Sequence, residues 1–288
     1  MIQIWLGTTG GITAALLLAA GLIHLLPKIG LGPLAAWFSR APGLDIWIFY
    51  FTVLPLFVGP VLLVRLAPAP ADALLEAPPI WLGMLLGLAA SIVAQVASVL
   101  IWCRLHELAN RKAIQGPRLV SQINTAVSPW RNHLAVWWTA WAVPLFALCR
   151  VVQYLVYPPL TWWVKLPKYK TGEWVNVSRH KFDGLVGHDL IWCLYCDWMT
   201  GVWSLGTEML RNVESFWCPI RFRSDKKCEN CTIDFPDLDN GWAPADGSMA
   251  DAVRAHAEHY PGPNGDNQWF GHPARLTVEG EAPKDRSH

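Results

Sequence analysis

Apolar positions along the chain gather into four long runs, residues 4–26, 46–66, 80–102 and 134–157. Each is close to the ~20 residues needed to cross ~30 Å of hydrocarbon, so each predicts a transmembrane helix. The first has no basic segment before it and no small-residue cleavage site behind it, and reads as a retained span. The fourth contains Pro144 and Arg150. Pro144 predicts a kink and not an end, because neighbouring helices satisfy the carbonyl it frees. Arg150 lies close enough to the end of its run to reach the headgroups.

Beyond residue 157 the pattern changes. Pro158-Pro159 stops the run, and Trp162-Trp163 with Lys165 reads as an interfacial belt. Residues 171–177 predict a short strand or hairpin edge. Residues 189–217 predict a helix, with Pro219 as the stop signal beyond it. That helix is apolar nearly all round over residues 190–205, with a polar stripe through Asp197, Ser204, Glu208 and Arg211. Such a helix is buried against protein or lies in the membrane interface. A fifth span is disfavoured because it would place Asp197 near mid-membrane. From Thr232 onward Pro, Gly and Asp dominate, which predicts an extended tail ordered only where it wraps a partner or its own membrane domain. One short helix is expected at residues 250–259.

The expected fold class is an all-α polytopic membrane protein with about four transmembrane helices plus an irregular, Cys-containing C-terminal extramembrane region. The expected domains are residues 1–157, the four-span domain; 158–231, a juxtamembrane segment with a Cys-rich helix and loop; and 232–288, a polar tail. Composition agrees. Charged residues are 16% of the chain, against about 25% in soluble domains, and the deficit sits in the first half. The 18 tryptophans suit membrane–water interfaces. A net charge of +1, with no basic run interleaved with aromatics, excludes nucleic acid as a partner.

Charge also bears on orientation. Loop 27–45 carries Lys28 and Arg40, loop 103–133 carries five arginines and lysines, and loop 67–79 carries only Asp72 and Glu76. With four spans the basic loops lie inside and both termini outside. Lys165, Lys168, Lys170, Arg179 and Lys181 then fall on the wrong side. Were residues 134–157 re-entrant, the tail would be cytoplasmic. The expected location is a multi-pass protein of a bacterial inner membrane.

Candidate chemistry concentrates in residues 188–231. Five of the seven cysteines lie there, as Cys193-x-x-Cys196 and Cys228-x-x-Cys231 with Cys218 between. Two such pairs can build one thiolate site for zinc or ligate an iron–sulfur cluster. The alternatives are disulfides or redox thiols, and simple packing, since Cys is common in buried apolar helices. The pairs meet only under strict geometry. About 22 helical residues would separate them by ~33 Å, and the nine residues 219–227 reach ~30 Å at most. Either the helix breaks, at Gly201 or Gly206, or the loop runs straight back; otherwise Cys218, Cys228 and Cys231 form a local cluster. Among the histidines, only His24 has the depth of a haem ligand, and no CxxCH occurs. His106, His133, His180 and His188 read as interfacial, and His256 with His259 as a solvated face.

Two functions follow as expectations. One is an integral membrane subunit of a larger assembly, an electron-transfer or oxidoreductase complex, with the cysteines holding metal. Its partners are lipid and other membrane-protein subunits, as a hetero- or homo-oligomer. The other is a membrane thiol–disulfide oxidoreductase passing electrons between CxxC pairs and a quinone. A transporter or channel is a weaker third, since the first three spans lack the buried acids such proteins keep.

Overall fold

The structure, a computed structural model, describes residues 1–66, 79–114, 116, 118–182, 184–221, 241–262 and 265–270. Among these residues all regular structure is helical, and extended pairing is confined to two isolated bridges. Four helical stretches are long and apolar enough to cross a membrane: Ile2–Ile29, Gly43–Leu66, Ile80–Ala109 and Pro129–Trp163. By that criterion the chain is a multi-pass membrane protein. It divides into two compact units, Met1–Ala147 with Asn176–Met199, and Leu148–Val175 with Thr200–His288.

The first unit is built on three helices, α1 (Ile2–Leu25), α3 (Gly43–Leu66) and α4 (Ile80–Ala109). A short α2 (Gly32–Phe38) links the first two. Lipid tails are as apolar as Leu, so helices in a membrane associate by close approach of small residues and by hydrogen bonds. α4 presents Gly83, Gly87, Ala90, Ser91, Ala94 and Ser98 as its buried edge. A Cβ at Gly87 would lie 2.4 Å from Pro60 Cα, and one at Gly59 would lie 2.4 Å from the Gly87 carbonyl, so both positions demand glycine. Polar groups close the same seam. Pro55 has no N–H to offer the carbonyl of Phe51 four residues back, and Gln95 Nε2 donates to it at 2.8 Å and to the Thr52 carbonyl at 2.8 Å. Over Phe49–Val53, next to this bond, the backbone hydrogen bonds reach one residue further than in an α-helix, as a π-helical turn. Ile12, Leu16 and Ala94 form the apolar centre, flanked by Tyr50 and Phe51.

After α4 the chain forms α5 (Leu119–Val127) and enters α6 (Pro129–Trp163), whose start is set by Pro129 at the first helical position. Residues 171–177 are not a strand. They form a one-turn α7 (Thr171–Trp174), and Asn176 makes a single antiparallel bridge to Arg40. The Cys-bearing helix α8 runs Gly187–Trp217, two residues longer at its start than the sequence pattern indicates.

The second unit packs the later part of α8 against residues 148–175 and the tail. Val202, Leu205 and Met209 are buried. The Trp174 carbonyl comes within 2.5 Å of where a Cβ at Gly201 would stand, which explains a glycine inside a helix. The tail is less extended than its composition implies. α9 (Met249–His259) starts with a reciprocal capping box between Ser248 and Asp251, and Trp242, Trp269 and Phe270 form a small core of their own.

Candidate functional site

The N-terminal half of α8 is held in the first unit by an ionic clamp. Arg118 forks to Asp189 Oδ2 through Nε (3.0 Å) and Nη2 (2.8 Å), and reaches Glu107 Oε1 through Nη1 at 2.9 Å. Burial works against the guanidinium charge, and the two carboxylates more than offset it, raising the Arg118 pKa. Glu107 and Asp189 both stand at the start of α8, where the unpaired N–H groups favour negative charge. The Gly187 N–H donates to His106 Nδ1 at 3.1 Å. Gly187 has φ +55, and a Cβ there would lie 2.5 Å from Glu107 Cγ. Sequence reasoning counted Arg118 only as loop charge and overlooked Glu107. The available signal was a lone carboxylate at the end of an apolar span.

Two turns later come the first cysteines. Cys193 is half-buried and Cys196 exposed, three residues apart on α8. Arg179 lies over them. Its Nε is 2.7 Å from Asp197 Oδ1, while Asp197 Oδ2 accepts from the backbone N–H of Ser178 (3.1 Å) and Arg179 (3.0 Å). Burial raises the Cys193 thiol pKa above its ordinary value, opposed by a hydrogen bond and charge from Arg179. Cys218 is exposed just beyond the end of α8, and Cys228 and Cys231 lie outside the described residues. α8 is continuous through Gly201 and Gly206, so neither glycine provides the break that a four-cysteine site would use. Cys193, Cys196 and Cys218 take part in no disulfide among the described residues, where no group of three or more His, Cys, Asp or Glu is arranged to hold a metal ion.

The histidines pair off in the first unit. His24 stacks on Trp102 at 5.3 Å between ring centroids and lies 4.9 Å from His106. His133 meets His188 edge-on at 5.3 Å. Burial holds the His188 pKa below its ordinary value, and the neighbouring His133 adds to this.

In the second unit α8 carries a buried polar centre. Asn212 Nδ2 donates to Tyr169 Oη at 2.6 Å and to the Glu208 carbonyl at 3.0 Å, and Asn212 Oδ1 accepts from the Trp269 N–H at 2.8 Å. Glu208 takes Arg211 at 2.7 Å and the Trp269 indole N–H at 3.2 Å. Ser215 shares a hydrogen bond with Tyr260. Asn267 donates to the carbonyls of Lys165 and Val164 at 2.9 and 2.7 Å. The polar stripe legible in the sequence contains Glu208 and Arg211 but not Asn212, the residue at its centre. His256 and His259, an i,i+3 pair, go to aromatic contacts with Tyr260 and Phe270. No family model, curated protein or solved structure matches the chain.

Proposed function

We propose that the chain is an integral membrane subunit of a larger assembly of the electron-transfer or oxidoreductase class. In this reading it docks through α8 and binds zinc or an iron–sulfur cluster with its cysteines. The supporting observation is a second apolar face on α8. Trp203, Leu210 and Trp217 are all more than half exposed, and they recur every seven residues. That spacing aligns them on one seam of a helix, as in helix-to-helix packing. The inner side of the same helix is already filled by Val202, Leu205 and Met209. α8 is not one of the four stretches with the apolarity of a span, and an exposed apolar ridge on such a helix marks a protein contact. The raised thiol of Cys193 weighs against the thiol–disulfide exchange reading, because exchange needs the thiolate. A ligated cation would deprotonate the same thiol outright.

The test uses the full chain in mild detergent, sized by light scattering, with metal measured on the same sample. The wild type is expected to run as an assembly, and Trp203→Glu or Leu210→Glu to reduce it to one chain with unchanged helical circular dichroism. A wild type that is already a single chain sinks the assembly reading. Zinc, or iron with absorption near ~400 nm, is expected in the wild type and lost in Cys228→Ser and Cys231→Ser. Metal-free wild type refutes the thiolate site.

A further inference from the structure

We infer that α6 does not cross the bilayer. The chain crosses three times, and α6 lies along the leaflet from which α4 emerges, with a Trp–Leu edge seated at the headgroup–acyl boundary.

Connections within the first unit carry this. α1, α3 and α4 cross in succession, so the turn into α3 and the residues after α4 lie on one side. A crossing by α6 would deliver the following segment to the opposite side. That segment is instead bonded to both places. The Val177 N–H donates to the Ser39 carbonyl at 2.9 Å, and Asn176 bridges Arg40. Gly187 N–H reaches His106 at 3.1 Å, and Asp189 binds Arg118 at 2.8 Å. A crossing would place these partners ~30 Å apart.

Depth gives the same answer independently. Phe146 lies 17 residues beyond Pro129, or ~26 Å along a helix, which is most of the hydrocarbon thickness. Yet Phe146 and Asp45 flank one residue. Trp198 has its ring 6.2 Å from that of Phe146, and its Nε1 donates to Asp45 Oδ1 at 3.1 Å. Asp45 is in the first turn of α3, on the side where α6 begins. A helix that has run ~26 Å and is still level with the start of α3 lies across the bundle, not through the membrane.

The surface of α6 fits that placement. Trp130, Leu134, Trp138, Trp141 and Leu145 are exposed at steps of four, four, three and four residues, a single edge of the helix. The flank beside it meets protein, Trp137 against Trp192 at 5.4 Å and His133 against His188, and the far side carries Asn132, buried and donating to Asn124 Oδ1 at 2.8 Å. A span is apolar all round, whereas a helix in the interface has one apolar edge, and Trp favours that depth. Charge agrees as well. With three crossings Lys28, Arg40 and every Lys and Arg from Arg111 to Lys181 share one side, facing Asp72 and Glu76 across the membrane.

The test is labelling of the full chain in intact and permeabilised cells with a membrane-impermeant maleimide that adds mass. Lys28→Cys, Ala73→Cys and Lys181→Cys are made singly and read as mass gained over wild type. Ala73→Cys is expected to label in intact cells, and Lys28→Cys and Lys181→Cys only after permeabilisation. Phe182→Cys, at a position 74% exposed, repeats the reading should Lys181→Cys fold poorly. Labelling of residues 181 and 182 together with residue 73, or no labelling of either after permeabilisation, overturns the inference.

Discussion

Cys193 shows how a single residue is tuned by its neighbours. Burial lifts its pKa, Arg179 pulls it down, and Cys196 and Asp189 push it up again, leaving the thiol above its ordinary 9.0. The sign determines reactivity. Below its pKa a thiol loses tenfold in thiolate for each unit of pH, and only the thiolate attacks. In protein stripped of metal, alkylation of Cys193, followed by peptide mass spectrometry, is therefore expected to keep rising with pH beyond 9, where an ordinary thiol begins to level off. Arg179→Ala removes the opposing cation and its hydrogen bond, so it raises the pKa further. The expected result at pH 8 is slower alkylation than in the wild type. Faster alkylation would show that Arg179 shields the sulfur more than it activates it.

At the scale of elements, α8 is a helix whose fixed points are polar. Its start is clamped by Arg118 between Glu107 and Asp189, and its later turns are organised by Asn212. Asn212 is fully buried, and its amide serves groups on three different segments: Tyr169, Glu208 and Trp269. Truncating it takes away the acceptor of the buried Trp269 N–H, and a stranded polar group costs about 1–3 kcal/mol. Asn212→Ala is expected to lower unfolding stability by about 1–3 kcal/mol. Thr207→Ala, on the same helix but half exposed, is the comparison and should change little. Equal losses in thermal melts of the two variants would show that the network does not hold this unit together.

For the whole molecule, the number of crossings decides which surfaces face water and which face lipid. The three-crossing arrangement puts a large excess of positive charge on one side, so Lys28 and Arg40 are not needed to set orientation. The double variant Lys28→Gln, Arg40→Gln is expected to keep a single orientation, read by the same labelling at residue 73. A four-crossing chain would balance positive charge on the two sides once those residues are removed. A mixed population of the double variant would therefore count against three crossings. The same arrangement brings the cysteines of α8 to the cytoplasmic side, where thiols stay reduced and metal ligation is favoured over disulfides.

Local sequence by itself determined the helices. Runs of apolar residues near ~20 long leave the backbone no donors or acceptors but its own, so their helical form follows without tertiary information. The end of α8, marked by Pro219, and the short α9 were equally legible, whereas α6 starts at Pro129, five residues before its apolar run. Tertiary structure decided what those helices do. Whether α6 passes through the membrane or along it depends on hydrogen bonds from Val177 to Ser39 and from Gly187 to His106, between residues 81 or more positions apart. Residues 171–177 offered β-like letters but found one lone bridge at Asn176, since a strand needs a partner strand and the chain supplies none there. Asn212 and Trp269 were invisible for the same reason. A buried amide and a Trp in a polar tail acquire their roles only when folding brings each to the other's unpaired groups.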